Sequence, residues 1–262
     1  MSQKTQIHKL KNAHCQIKSE LLHINKVKNI KPIEERNTYP YNIPSIVNLN
    51  ELGFRKSVTF ITGENGSGKS TLVEAIAINA GFNPEGGSRN FNFRTQDSHS
   101  KLFNYLKLSW SSRNKDGFFL RAESYYNFAS NMDALDAEPG GTPIKQYYGG
   151  KSLHEQSHGE SFLALLVNRL YGNGLYIFDE PEAALSVSSQ FKMLVRMKEL
   201  ADKNSQFIIA THSPVLMAYP DADIYVVSET GIDLIDYEST EQYRLTKYFV
   251  NNHRQFLSEL GL

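Results

Sequence analysis

The sequence predicts an α/β fold with a mainly parallel sheet at its core, an inserted mixed α/β subdomain and an antiparallel β edge. Three observations predict it. A glycine-rich loop at residues 63–70 stands between a β-like run and a helical run. Two further apolar, strand-like runs, 175–178 and 206–210, alternate with helical stretches, and a hairpin pattern follows them. Strands separated by helices are typical of parallel sheets with crossover connections.

The composition of the 262 residues fits one globular domain. The 28 Lys and Arg residues equal the 28 Asp and Glu residues, so the general basic excess that favours nonspecific DNA binding is missing, although a local patch for nucleic acid stays open. A single cysteine, Cys15, excludes an intrachain disulfide framework. No apolar run reaches the roughly 18–20 residues that span a bilayer, and the polar N-terminus is unlike a signal peptide. We therefore expect a soluble, cytoplasmic protein.

The N-terminal part leads up to the glycine-rich loop. Residues 1–20 are polar and basic, and a candidate strand lies at residues 21–27. In the proline-containing loop that follows, Tyr39 or Tyr41 is a candidate for stacking on a nucleobase, although loop tyrosines more often pack on their own domain. A strand over 57–62 and a helix over 70–79 then flank the loop.

The middle of the chain departs from this alternation. We interpret residues 82–155 as a mixed subdomain inserted into a single domain of residues 1–262. Two strand-like runs, 106–110 and 118–122, flank a polar turn and predict a β-hairpin. Helical spacing follows over 124–135, and a connector rich in glycine and proline ends the insertion.

The remaining elements return to the α/β order of the core. They are helices over 160–170 and 188–201, strands over 175–178 and 206–210, an edge hairpin of 224–227 with 232–235, and two helical runs over 240–251 and 253–260.

The glycine-rich loop matches the phosphate-binding pattern G-x-x-x-x-G-K-[ST] in full. Its glycines let successive backbone N–H groups point at phosphate oxygens, and the helix that follows adds the positive end of its dipole. Lys69 can neutralise the β- and γ-phosphates, and Ser70 can offer its hydroxyl to a magnesium ion. The predicted site for a nucleoside triphosphate and Mg²⁺ comprises Gly63, Glu64, Asn65, Gly66, Ser67, Gly68, Lys69, Ser70 and Thr71.

Polar side chains follow two strands of the predicted sheet. Asp179 and Glu180 come directly after the run 175–178, at the strand end where ligands of open α/β sheets bind. We assign Asp179 to the metal and Glu180 to polarising the attacking water. His212 follows the next buried strand, where its imidazole can hydrogen-bond the γ-phosphate or orient the water. The predicted catalytic residues are therefore Glu180, His212 and Lys69.

A second candidate anion site precedes the helix at 160–170, because Ser157 and the free N–H groups of that helix start would face a phosphate. The chain thus carries, in order, the phosphate loop, Ser-x-Gly-Glu at 157–160, Asp-Glu-Pro-Glu at 179–182 and Thr-His-Ser at 211–213. This order resembles the ABC-type ATPases, in which the first and third motifs are called Walker A and Walker B. Within that superfamily it resembles a group of short stand-alone bacterial predicted ATPases.

The resemblance implies ATP and Mg²⁺ as cofactors and a head-to-tail homodimer that sandwiches two ATP molecules. Ser157 and Gly159 of one subunit would complete the phosphate loop of the other. Glu160 departs from the usual transporter signature towards that of chromosome-maintenance ATPases, and Ser186 replaces the usual aspartate of the dimer loop. Gln96 is the candidate for the lid glutamine that contacts magnesium and the γ-phosphate.

Three functions remain open on these observations. The first is an ATPase whose closure on ATP and opening after hydrolysis move an unidentified protein partner, in DNA repair or phage defence. The second is the nucleotide-binding subunit of a membrane transporter, against which Glu160 and the insertion stand, while the short length allows it. The third is a nonhydrolytic ATP-dependent switch, which requires Glu180 to be idle.

Overall fold

The structure is a computed structural model that describes residues 22–89, 100–123, 125–136, 146, 150 and 158–262. The strands in these ranges are β1 (Ile24–Asn29), β2 (Glu51–Gly53), β3 (Val58–Gly63), β4 (Leu106–Trp110), β5 (Asp116–Arg121), β6 (Gly174–Asp179), β7 (Gln206–Ala210), β8 (Asp223–Ser228) and β9 (Gly231–Ile235). The α-helices are α1 (Pro44–Val47), α2 (Lys69–Asn79), α3 (Tyr125–Asp136), α4 (His158–Asn168), α5 (Val187–Ala201), α6 (Pro214–Met217) and α7 (Glu241–Glu259).

The larger of two sheets has six strands in the order β5-β6-β7-β3-β8-β9. Strands β5 to β8 pair in parallel, and β9 pairs antiparallel with β8. Every residue of β3, β6 and β7 is buried, because helices or the second sheet cover both faces. This burial explains why their sequences are continuous apolar runs. The predicted parallel core and its antiparallel edge are confirmed.

The predicted hairpin of 106–110 with 118–122 is wrong. Strand β4 pairs with β1 in a three-stranded antiparallel sheet of order β2-β1-β4, whereas β5 pairs in parallel with β6 in the larger sheet. The physical reason is burial on both faces. Gly117, Phe118, Phe119 and Leu120 are all buried, and a hairpin with one solvated face would expose every second residue.

The two faces of the larger sheet carry separate hydrophobic cores. Side chains alternate along each strand, so Phe60 faces one core and Ile61 the other. Helix α2 packs on the Ile61 side together with the small sheet, through residues that include Leu72 and Ile76. Helices α3, α4 and α5 pack on the Phe60 side. The phosphate-loop helix and the helix α4 therefore lie in different layers.

The other predicted elements agree with the structure within a few residues. The four internal helices correspond to α2, α3, α4 and α5, and the first candidate strand corresponds to β1. The two C-terminal runs form one helix, α7, interrupted at Asn252, whose φ of −132° is not helical. Among the described residues, no helix combines the length and apolar character needed to cross a bilayer. The boundaries of the insertion, 82–155, remain a prediction.

Candidate nucleotide site

The glycine-rich loop forms the turn between β3 and α2, as predicted. Gly63, Gly66 and Gly68 have φ values of 147°, 78° and 100°, a backbone region that L side chains rarely adopt. A Cβ atom at Gly63 would lie 2.2 Å from the carbonyl oxygen of Val227, and one at Gly68 would lie 2.8 Å from a methyl carbon of Ile43. Glycine is therefore required at 63 and 68 for space as well as for conformation.

The ammonium of Lys69 is held inside this loop. It donates hydrogen bonds to the carbonyl oxygens of Gly63 at 3.0 Å and Glu64 at 2.7 Å. Burial lowers the pKa of Lys69, while nearby carboxylates act in the opposite direction. Because phosphate oxygens would offer the ammonium stronger, charge-assisted hydrogen bonds, the arrangement fits the predicted role of Lys69.

Two of the three predicted metal-site residues, Ser70 and Asp179, are in contact. The hydroxyl of Ser70, at the start of α2, donates a hydrogen bond of 2.9 Å to Oδ1 of Asp179, at the end of β6. Burial raises the pKa of Asp179 to about 6, although the Ser70 hydrogen bond and the charge of Arg121 oppose this shift. Hydroxyl and carboxylate oxygens are ligands that Mg²⁺ prefers, and in triphosphate sites phosphates and water supply the rest. The pair therefore fits Mg²⁺, and no group of three or more His, Cys, Asp or Glu in the described ranges forms another candidate metal site.

Glu180 and His212 come together beside this pair. Glu180 adopts the left-handed conformation, with φ of 52°, and its backbone N–H donates to the carbonyl oxygen of Ala210. The turn leaves Asp179 buried but exposes 42% of the Glu180 side chain. The Nε2 atom of His212 lies 3.8 Å from Oε1 of Glu180 and has no hydrogen-bond partner among the described residues. The Glu180 carboxylate is therefore open to water or a ligand, whereas the unpaired Nε2 atom of His212 is buried.

Three charged residues of the site were missed by the sequence reasoning. Glu182 accepts a hydrogen bond of 2.6 Å from the backbone N–H of His212. Arg121 pairs with Glu74 of α2 at 2.6 Å and lies 3.5 Å from Oδ2 of Asp179. The second glutamate of Asp-Glu-Pro-Glu was a readable signal for Glu182. Arg121 directly follows the buried run 118–120, but this position indicates a site residue only if that run belongs to the larger sheet.

The predicted cross-subunit and lid residues are only partly described. Gly159 lies in the first turn of α4, where a Cβ atom would stand 3.1 Å from the carbonyl oxygen of Ala184. Ser186 caps α5 by accepting the backbone N–H of Ser189. Ser157 and Gln96 lie outside the described residues, so both assignments remain predictions.

The two tyrosines proposed for base stacking differ in exposure. Tyr41 is buried, its hydroxyl donates to the carbonyl oxygen of Lys101, and its ring meets Tyr105 edge-on at 5.3 Å. It therefore packs on its own domain and offers no face to a nucleobase. Tyr39 is 69% exposed and remains the candidate.

A cavity of about 660 Å³ lies between the phosphate loop and the turn joining β8 to β9. This volume is typical of a small-molecule pocket.

Two family models match the sequence. One, described as "AAA domain", matches residues 41–131, and the other, described as "AAA domain, putative AbiEii toxin, Type IV TA system", matches residues 94–218. Their matches overlap and together include the phosphate loop, the Asp179 turn and His212.

Similar proteins include two ATP-binding proteins of transport systems and one chromosome-maintenance protein. The zinc import ATP-binding protein ZnuC of Wolbachia pipientis wMel is 25% identical over 224 residues, which cover 82% of this chain and 87% of that protein. An uncharacterized ABC transporter ATP-binding protein of Haemophilus influenzae is 24% identical over 191 residues, covering 64% and 69%. A structural maintenance of chromosomes protein 3 homolog of Plasmodium falciparum is 31% identical over 109 residues, covering 42% of this chain and 8% of that protein.

One solved structure shares the fold over most of both chains. The structure of cbiO1 from Clostridium perfringens, part of the ABC transporter complex cbiONQ, matches with a TM-score of 0.50 and 17% identity, and the match covers 90% of this chain and 99% of that chain. In its fold and in its similarity to named ATP-binding proteins of transporters, this chain resembles the ABC-type ATPases.

Proposed function

We propose that this protein binds ATP with magnesium and hydrolyses it to ADP and phosphate. The observation that carries the proposal is the meeting of three turns at one edge of the sheet. The hydroxyl oxygen of Ser70 lies 2.9 Å from Oδ1 of Asp179. Next to this pair, Nε2 of His212 lies 3.8 Å from Oε1 of Glu180. These are the groups that phosphoryl transfer to water requires, because its catalysis rests on positioning and charge stabilisation.

The chemistry divides among the residues by their surroundings. Lys69 neutralises the phosphates from within the loop, and Ser70 with Asp179 holds the metal. Bound magnesium would neutralise phosphate charge. Glu180, whose side chain is 42% exposed, accepts a hydrogen bond from the attacking water and so polarises it. His212 carries an unpaired but buried Nε2 atom, which would contact the γ-phosphate or that water once the ring turns towards the site.

The active form in this proposal is a head-to-tail homodimer. The layer arrangement supports it, since α2 and α4 pack on opposite faces of the sheet and one chain carries its phosphate loop and Gly159 in different layers. Ser157 and Gly159 of the second subunit would then face the phosphates of the first, and two-fold symmetry would make two identical sites. Loss of the γ-phosphate removes contacts that only the closed dimer makes, so hydrolysis opens it.

Release of phosphate as a function of protein concentration tests the proposal. We expect the rate per subunit to rise with concentration for the wild-type chain. Mixing Lys69→Ala with Ser157→Arg chains supplies the sharper control, because only a mixed dimer contains one site with both an intact loop and an intact Ser157. Neither variant alone should hydrolyse ATP, whereas the mixture should regain activity. A concentration-independent rate in a demonstrated monomer would refute the shared site, and no phosphate release at all would leave the nonhydrolytic switch.

Within the same proposal, the protein partner that closure and opening of the dimer move acts in DNA repair or phage defence in the cytoplasm. Glu160 in the signature and the toxin description of one family model support this assignment. A pull-down with Glu180→Gln protein held in its ATP state tests it, since the variant should stay in the partner-bound conformation. Recovery of DNA-processing or defence proteins is expected.

A membrane transporter is the second candidate. Two similar proteins are named as ATP-binding proteins of transport systems, one of them for zinc import. In that case the same pull-down should recover integral membrane proteins that carry the transport path. Such a result would reject the repair and defence assignment while leaving ATP hydrolysis intact.

A further inference from the structure

The guanidinium of Arg121 lies between two buried carboxylates. Its Nη1 atom is 2.6 Å from Oε2 of Glu74, and its Nε atom is 3.5 Å from Oδ2 of Asp179. The Glu74 and Asp179 side chains are only 6% and 5% exposed. A third carboxylate, Glu123, lies 3.4 Å from Nη2 but is 83% exposed, so solvent screens that pair. The two buried contacts therefore dominate the surroundings of the arginine.

The backbone fixes Arg121 in this place. Strands β5 and β6 pair in parallel with Arg121 opposite Asp179, and the N–H of Ala122 donates to the carbonyl oxygen of Asp179. On the other side, the Glu74 carboxylate accepts a hydrogen bond of 3.0 Å from the backbone N–H of Ser100. The arginine is thus held between α2 and β6 by partners that are themselves anchored.

Arg121 acts on the carboxylate that we assign to the metal. Oδ1 of Asp179 faces Ser70, and Oδ2 faces the Nε atom of Arg121. A divalent cation on the Ser70 side would therefore share one carboxylate with a fixed positive charge. Like charges a few ångströms apart repel, and a buried site screens the repulsion weakly. Free metal ions are disfavoured there for this reason.

We propose that Arg121 makes metal binding at the Asp179–Ser70 pair depend on the nucleotide. The arginine weakens the affinity of the pair for a free divalent cation, and the negative charge of the ATP phosphates offsets that repulsion when metal and nucleotide arrive together. Arg121 is thus a positioning residue, which acts through Asp179. The inference rests on the metal site of the proposed function and adds to it a control over when the metal enters.

Binding of Mn²⁺ without nucleotide tests this inference, followed by the electron paramagnetic resonance signal of the free ion. Removing the positive charge in Arg121→Gln should tighten Mn²⁺ binding by about tenfold or more, by the same electrostatics that shifts a neighbouring carboxyl pKa by one or more units. Arg121→Lys keeps the charge and should remain close to wild type. Adding a nonhydrolysable ATP analogue should reduce the difference between the wild-type and Gln forms.

A matched control involves Asp116, at the first position of the same strand, and its partner Arg169, which follows α4. Arg169 pairs with Asp116 at 2.9 Å at the opposite end of β5, also partly buried, so Arg169→Gln removes an equivalent ion pair away from the metal ligands. Its Mn²⁺ affinity should equal that of the wild type. If Arg121→Gln fails to fold, Arg121→Met keeps the apolar stem and carries the same expectation.

Unchanged or weaker Mn²⁺ binding in folded Arg121→Gln or Arg121→Met protein would overturn the inference, because a purely structural role predicts a displaced Asp179 and a poorer site. The readout needs no turnover and is therefore separate from the proposed function. Protein that binds Mn²⁺ as expected but releases no phosphate would refute hydrolysis alone. Hydrolysis with unaltered Mn²⁺ binding in the variants would refute the inference alone.

Discussion

The carboxylate of Glu182 accepts the backbone N–H of His212 across 2.6 Å and so joins the turn after β6 to the turn after β7. We expect Glu182→Ala to release the His212 turn while leaving the phosphate loop intact. Steady-state kinetics should then show kcat reduced by about tenfold, the equivalent of one lost hydrogen bond to a charged group, with KM for ATP little changed. Glu182→Gln retains an acceptor oxygen and serves as the control. Wild-type kcat in the alanine variant would show that the contact does not matter for turnover.

Glu180→Gln separates ATP binding from hydrolysis. The amide keeps the size of the side chain but cannot polarise water, so turnover should fall by on the order of 10²–10⁴ while ATP stays bound. Size-exclusion chromatography with ATP should show closed dimer accumulating. Lys69→Ala is the contrast, because it removes the charge inside the loop and should weaken ATP binding itself. Turnover at the wild-type rate in Glu180→Gln would remove Glu180 from its assigned role.

Gly63→Ala should damage the loop through its backbone. The added Cβ atom would lie 2.2 Å from the carbonyl oxygen of Val227, and φ of 147° is unfavourable for alanine. We expect a loss of about 1–3 kcal/mol in the free energy of unfolding and a Tm lower by about 2–4 °C per kcal/mol. Gly53→Ala is the matched control, since nothing lies within 4 Å of its Cβ position. Equal Tm values for the two variants would contradict the expected clash.

His23 makes the stability of the fold depend on pH. Its ring contacts the Ser112 hydroxyl and the Asn204 carbonyl oxygen, and burial lowers its pKa from 6.5. Below pH 6.5 His23 takes up a proton in the unfolded chain more readily than in the folded chain. The stability that neutral His23 contributes to the fold is therefore complete above that pH and is lost as pH falls.

Urea unfolding at pH 7.5 and 5.5 checks this prediction. The free energy of unfolding should fall from pH 7.5 to pH 5.5 more steeply for the wild type than for His23→Gln. The extra loss should reach at most about 1.4 kcal/mol for each pH unit. His253→Gln, at an exposed position on α7, should keep the wild-type pH dependence. Parallel pH dependences for wild type and His23→Gln would exclude His23 as the cause.

Local patterns made the arrangement of the candidate nucleotide site predictable. The loop at 63–70 and the residues after β6 and β7 follow directly from buried strands, and parallel strands end at the same edge of a sheet. Predicting the Ser70–Asp179 and Glu180–His212 contacts therefore required only that β3, β6 and β7 lie side by side in one parallel sheet. Helix bounds came out within about two residues because helical periodicity and capping are local properties.

Pairings between distant segments were not predictable in the same way. Strands β4 and β5 are close in sequence and joined by a polar turn, and nothing local indicates that they enter different sheets. The error concealed Arg121, because its approach to Asp179 exists only when β5 lies beside β6. Tyr41 was ambiguous for a related reason, since its burial depends on Lys101 and Tyr105 from a remote segment.

The neighbours of β3 in the sheet come from the C-terminal part of the chain. The two strands that pair with β3 begin at Gln206 and Asp223. The strand that leads into the phosphate loop therefore has no hydrogen-bonded neighbour until those residues have been synthesised. Such distant pairing slows folding. At about 5–20 residues per second of synthesis, on the order of ten seconds pass between the making of the loop and the making of its supports. A chain that stops before β7 carries the loop without the strands that hold it.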